Sequence, residues 1–203
     1  MKLYLLFLLM ATTTVLSPGP GVVMTLSNAL RFGLRGTLGG IFGIAGGALL
    51  VAAISATSLG ILLATSALAF TALKLLGAAY LFYLAIRLWR APPFSFAAQP
   101  TRDASFGRRF VEGLSLQLTN PKAIFFFLSV FPQFIDPAQP YPLQFATLVL
   151  TYSTLVIVIH CGYALFARRA KGWLQSERGG RLLGKISAGS FVYFGASLAT
   201  AQR

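Results

Sequence analysis

Acidic residues are almost missing from this 203-residue chain, which has four of them against 17 lysines and arginines, a formal charge of +13. Charged residues of both signs make up only 10% of the sequence, less than half the usual share of a soluble domain. A water-soluble globule would need more polar surface than this. Cysteine and histidine occur once each, as Cys161 and His160. That excludes an internal disulfide and any ligand cluster with metal-site spacing, so neither a metal nor another cofactor is expected. A membrane-embedded enzyme would need acids, histidines or serines clustered near one interface. The inventory is too sparse for that, and no catalytic residue is assigned. A pI near 10.8 suggests nucleic acid, but such binders cluster their cations on a polar surface. Here the basic residues stand between long apolar runs, so no nucleic-acid partner is expected.

What the chain does have is apolar length: 56% of its residues are hydrophobic and the mean hydropathy is +0.74. Six runs stand out, at Leu3–Leu30, Thr37–Ala64, Ala67–Trp89, Val111–Ile135, Leu143–Ala167 and Leu182–Ala201. Each is long enough to cross about 30 Å of hydrocarbon as a helix. They are continuously apolar, not alternating, which favours helices over barrel strands. The expected fold is an all-α polytopic membrane protein of about six transmembrane helices in the lipid bilayer. The first run resembles a secretory signal, yet no A-x-A site follows it and Ser17-Pro18-Gly19-Pro20 leads into more apolar sequence, so a retained helix is expected.

Six crossings put the N-terminus, loops two and four and the C-terminus on one side, which carries only Lys2 and Arg203. The other side carries 13 basic residues: Arg31, Arg35, Arg87, Arg90, Arg102, Arg108, Arg109, Arg168, Arg169, Lys171, Arg178, Arg181 and Lys185. The positive-inside rule then places loops one, three and five in the cytoplasm and both termini outside. The Pro-, Ala- and Ser-rich stretch around Pro92, Pro93 and Pro100 reads as a linker (91–110) between a first three-helix repeat (1–90) and a second (111–203). Leu16-Ser17-Pro18 is matched by Thr119-Asn120-Pro121, and Lys74-Leu-Leu-Gly77 by Lys185-Ile-Ser-Ala188, at offsets of 103 and 111 residues. Three is an odd number of helices, so the second copy enters from the opposite side, an inverted repeat.

Two motifs interrupt the apolar runs. Ser17-Pro18-Gly19-Pro20-Gly21 removes two backbone donors and weakens the helix halfway along its run. Such a break in hydrocarbon needs protein or a water-filled cavity to satisfy its carbonyls. It reads either as a proline kink or as a discontinuous helix, whose free carbonyls suit an ammonium and whose next half-helix N-terminus suits a carboxylate. Asn120-Pro121-Lys122 repeats the theme in the fourth run. Lys122 lies about 16 Å from the nearer end of that run at 1.5 Å per residue, too deep for easy snorkelling. No acid lies inside a run to pair with it, since Asp103, Glu112, Asp136 and Glu177 fall in loops or near helix ends. Its partner is then a substrate carboxylate or the carbonyls freed by the prolines, or it stays neutral. His160 is either a proton relay or a polar residue bonded to a neighbouring helix. Lys74, nearer an interface, reads as snorkelling. Gly36/Gly40 and Gly39/Gly43/Gly47 form small-residue ridges that serve close packing within the bundle or a homodimer face.

These residues resemble the lysine exporter (LysE/RhtB) family of bacterial amino-acid exporters. The likeness runs in order through Ser17-Pro18-Gly19-Pro20, Arg35-Gly36 to Gly47, Leu73-Lys74-Leu-Leu-Gly77-Ala-Ala-Tyr80-Leu, Leu118-Thr119-Asn120-Pro121-Lys122-Ala123, Phe125-Phe126-Phe127 and Pro132-Gln133-Phe134. It implies an inner-membrane exporter of small neutral amino acids or derivatives, driven by the proton gradient. Substrate would pass Ser17, Pro18, Gly19, Pro20, Gly21, Asn120, Pro121 and Lys122. Family members often carry an acid or Asn where this chain has Gly21, and Gly-Asp where it has Gly46-Gly47. The resemblance therefore supplies no acidic proton site. A heavy-metal or other small-solute exporter, or a non-transporting membrane assembly protein, are the alternative expectations.

Overall fold

The first helix, α1 (Lys2–Leu16), stops where Pro18 and Pro20, either side of Gly19, remove two backbone donors. The computed structural model describes residues 2–56, 67–94, 105–136 and 138–200, and every regular element among them is helical. The next helix, α2 (Pro20–Ile54), starts with Pro20 at its first position, where no N–H is needed, behind an extended Gly19 (φ −160°, ψ −173°). A straight 35-residue helix would be about 52 Å long, well beyond the hydrocarbon thickness. Gly33 divides it: its φ of 69° and ψ of −173° are non-helical and open to glycine alone. The broken first run and the second run thus meet at a one-residue corner.

The third helix, α3 (Ala67–Arg90), matches its expected run; the side chain of Lys74, expected to snorkel, lies outside the described residues. The fourth run is broken as its proline suggests, into α4 (Phe106–Leu118) and α5 (Pro121–Phe125). A π turn over Phe126–Val130 and a 3-10 turn over Phe131–Phe134 continue it. Ser105 caps α4 by accepting from the Arg108 amide at 3.4 Å, so this helix begins inside the stretch read as linker. Then come α6 (Tyr141–Ala167), the short α7 (Lys171–Gln175) and α8 (Glu177–Thr200).

The closest packing is α2 on α4, followed by α2 on α6 and α3 on α8. The glycines of the second run make the first of these possible. A Cβ at Gly43 would run into the Phe110 carbonyl, and one at Gly47 would stand 2.7 Å from Gln117 Cβ. Gly113 of α4 answers from the other side, against the Gly40 carbonyl. The ridge is therefore packed against α4 inside the bundle. Arg109, counted from sequence as a loop cation, is buried at this seam. Its Nη1 donates to the Gly36 carbonyl at 2.6 Å and its guanidinium lies 3.8 Å over the Phe32 ring.

Surface and interior are reversed relative to a soluble bundle. Leu9, Leu143, Leu150 and Val158 are exposed, at 59–71% of their full areas, while Thr25, Gln117, Asn120, Lys122 and His160 are buried. Only a hydrocarbon solvent makes that arrangement favourable. Among the described residues, two helices, Pro20–Ile54 and Tyr141–Ala167, are long and apolar enough to cross a membrane. The largest core cluster joins Phe7 of α1, the aromatic turn Phe126, Phe127 and Phe131, and Tyr152 of α6.

Candidate functional site

Each proline in the first break frees one carbonyl of α1, because the residue four positions ahead loses its helical donor. Pro18 frees Thr14 O and Pro20 frees Leu16 O. Both are taken by side chains from distant helices. Lys122 Nζ donates to Thr14 O at 2.9 Å, to Ser17 O at 2.8 Å and to Ser17 Oγ at 3.1 Å. Tyr163 Oη donates to Leu16 O at 2.6 Å. An ammonium has three N–H donors, and all three of Lys122's are used. In this conformation the lysine sits on carbonyls of the broken helix, at its electronegative end.

The second break is held by its own side chain. Asn120 Oδ1 accepts from the Lys122 amide at 3.2 Å and caps α5, while Nδ2 donates to Gln117 Oε1 at 3.1 Å. The Gln117 carbonyl, freed by Pro121, accepts from the Asn120 amide at 3.1 Å. These bonds hold the turn, and Lys122 reaches across from it to α1. Across from it, His160 Nδ1 and Thr25 Oγ1 share a 2.7 Å hydrogen bond that ties α6 to α2. The His160 ring lies against Gly21, where a Cβ would stand 3.3 Å from Cε1.

These groups surround a chamber of about 20 Å³ lined by Gly19, Gly21, Gln117, Asn120, Lys122, Tyr152 and His160 among others. It has room for about one water and none for a larger solute. Beside it lies a larger cavity of about 560 Å³, whose lining follows α3 from Tyr80 to Ala91 and includes Gly19, Pro20 and Pro121 from both breaks. Gly19 lines both spaces, and its missing side chain leaves Lys122 Nζ 3.3 Å from where a Cβ would be. The cavity walls are mainly apolar, with Arg87 as the cationic residue among them.

Of the residues singled out from sequence, Gly19, Gly21, Asn120, Lys122 and His160 line the small chamber; Ser17 contacts it through Lys122, and Pro20 and Pro121 face the larger cavity. Pro18 acts by omission, as the missing donor to Thr14. Thr25, Gln117, Tyr152 and Tyr163 were not foreseen. The carbonyls at stake follow from counting back four residues from each proline, but nothing in the sequence marks Tyr163 as the partner of one of them.

A helical bundle with an apolar exterior, two broken helices that meet inside it and a bonded lysine between them has the build of a polytopic membrane translocator. The chain belongs to the LysE type translocator family, whose model matches residues 12–202. It is 36% identical over 196 residues to the homoserine/homoserine lactone efflux protein of Salmonella typhimurium, covering 97% of this chain and 95% of that protein. A leucine efflux protein of Salmonella choleraesuis is 31% identical over 209 residues, with 98% and 95% covered. An uncharacterized membrane protein of Vibrio cholerae is 35% identical over 199 residues, with 98% and 97% covered. No solved structure matches significantly.

Proposed function

We propose that this chain exports small neutral amino acids, or close derivatives, from the bacterial cytoplasm as a secondary active transporter. The observation that carries the reading is the junction of the two breaks, where Lys122 of one seats on the carbonyls of the other. In hydrocarbon, irregular backbone is tolerated beside a solute pathway, and discontinuous helices at mid-depth are a recurrent way to build one. Homoserine and leucine, which two of the relatives are named for, fit the chemistry of the site: a cationic side chain for a carboxylate, carbonyls for an ammonium, and an apolar cavity next door.

In this reading the substrate pathway runs past Ser17, Pro18, Gly19, Pro20, Gly21, Asn120, Pro121 and Lys122. The larger cavity is the entrance, and its walls Val23, Met24, Leu84, Leu88 and Phe191 favour an uncharged side chain. His160 is the group that relays a coupling proton. Loops one, three and five face the cytoplasm, on the strength of their 13 basic residues against two opposite, and the termini lie outside. The two halves are inverted repeats, a plan that the corresponding breaks support.

Proteoliposomes preloaded with labelled leucine or homoserine test this. The purified chain should release one of them faster than empty liposomes do, and faster still with an inward proton gradient. Release at the empty-liposome rate for every neutral amino acid tested would refute the function. Normal export by correctly inserted Lys122→Ala and Pro20→Leu would refute the site.

A further inference from the structure

Lys122 occupies a place shaped for an ammonium, and the surroundings state what else fits there. Its three acceptors, Thr14 O, Ser17 O and Ser17 Oγ, all belong to the last turn of α1 and the break that follows. They are the electronegative end of a half-helix, with one hydroxyl added. An amino acid's α-ammonium presents the same three N–H donors on the same charge. Among the described residues no carboxylate lines the chamber, so this helix end is the cation site there. Thr14 O also accepts from Ser17 Oγ at 3.1 Å, and two ammonium groups crowded onto one helix end would repel each other. The chamber, at about 20 Å³, has no room for an amino acid while the lysine is seated, yet Gly19 puts Nζ beside the 560 Å³ cavity from which a solute would come.

We propose that Lys122 is a tethered stand-in for the substrate's amino group. In the empty transporter its ammonium holds the α1 end; an incoming amino acid displaces it, seats its own ammonium on Thr14 and Ser17, and offers its carboxylate to the displaced lysine. The inference rests on the amino-acid reading above and adds where the substrate's two charged ends go. The exchange needs no proton transfer. The break keeps its N–H···O contacts, and the lysine gives up three oxygens for a carboxylate. An amine without a carboxylate has nothing to give the lysine in return, so it stays out. The site thereby demands both ends of an amino acid although the protein supplies only one charged side chain.

The test compares labelled leucine with 3-methylbutylamine, which is leucine without its carboxylate, on the purified protein in nanodiscs. Wild type should bind leucine and discriminate against the amine at least tenfold. Lys122→Ala, with the cation site vacant, should bind the amine at least tenfold more tightly than wild type does and leucine more weakly. No gain of amine binding in a folded Lys122→Ala overturns the assignment, whatever wild type binds. If that variant does not fold, the wild-type arm decides: an amine that competes as well as unlabelled leucine overturns it. Gain of amine binding in Lys122→Ala, combined with wild type that binds no neutral amino acid, sinks the substrate reading and leaves the cation site standing.

Discussion

Replacing Gly43 by alanine and replacing Gly46 by alanine are the same chemical change, three residues apart on one helix, and the packing predicts opposite outcomes. At Gly43 the new Cβ would meet main chain of α4, with Leu114 N and Phe110 C both at 2.9 Å and the Phe110 carbonyl oxygen closer still. Main-chain atoms cannot rotate away, so α2 and α4 must part by roughly half an ångström, a gap that forfeits about a quarter of the dispersion energy along the seam. Overpacking of this kind costs about 1–3 kcal/mol, and the upper end applies where the obstacle is backbone. Better helix propensity offsets about 1 kcal/mol, leaving a net loss of about 2 kcal/mol. At Gly46 the Cβ would find only side-chain atoms, Phe110 Cζ at 3.5 Å and Leu114 Cδ1 at 3.6 Å, which is ordinary contact. That variant keeps the propensity gain of up to about 1 kcal/mol. The two should differ by about 3 kcal/mol, more than a hundredfold in the folding equilibrium. Reversible unfolding in mixed detergent micelles, followed by circular dichroism, reads this directly, with size-exclusion chromatography beside it. Equal stability of the two variants would refute the packing argument. Loss of an oligomer by Gly43→Ala with an unchanged protomer would place the ridge at a dimer face instead.

Tyr163→Phe removes the donor to Leu16 O and strands a carbonyl at the break; a loss of about 1 kcal/mol is expected, with slower efflux because the end of α1 loosens. Detergent unfolding and proteoliposome release check it, and an unchanged release rate with lost stability would confine Tyr163 to a structural role. Phe126→Ala empties a site 2% exposed and packed 4.8 Å from the Tyr152 ring, so about 3–5 kcal/mol should be lost. Val158→Ala, on the 62% exposed outer face of α6, should change stability by no more than about 0.5 kcal/mol. Comparable losses for these two would contradict the division into core and lipid-facing sides.

Both breaks were legible from sequence because proline and glycine act locally: a missing N–H and a lost Cβ interrupt a helix wherever the chain goes. The apolar runs were legible for a related reason, since every residue facing lipid must be apolar. What stayed hidden depends on three-dimensional neighbours. Gly33 stands in Arg31-Phe-Gly-Leu-Arg35 like any loop glycine, and only the backbone reveals a positive φ between two continuous helices. Arg109 counts as a loop cation in any charge tally, yet Phe32 and the Gly36 carbonyl hold it inside. Lys122 was legible as a problem, an intramembrane cation without an acid, but its solution needed the geometry. The glycine ridge was recognised and its partner was not, because Gly113 stands six residues from Gly107, the other glycine of α4, without the four-residue spacing that marks a ridge.

The bonds that complete α1 also have a history in time. Leu16 and Tyr163 are 147 residues apart, and Thr14 and Lys122 are 108 apart. At about 5–20 residues per second, the ribosome releases Leu16 roughly 7–30 s before Tyr163 exists. Through that interval the first helix waits with Leu16 O lacking its Tyr163 donor and Thr14 O held by Ser17 Oγ without Lys122. A helix made early is therefore among the last to be finished, and the first half produced alone would carry this defect permanently.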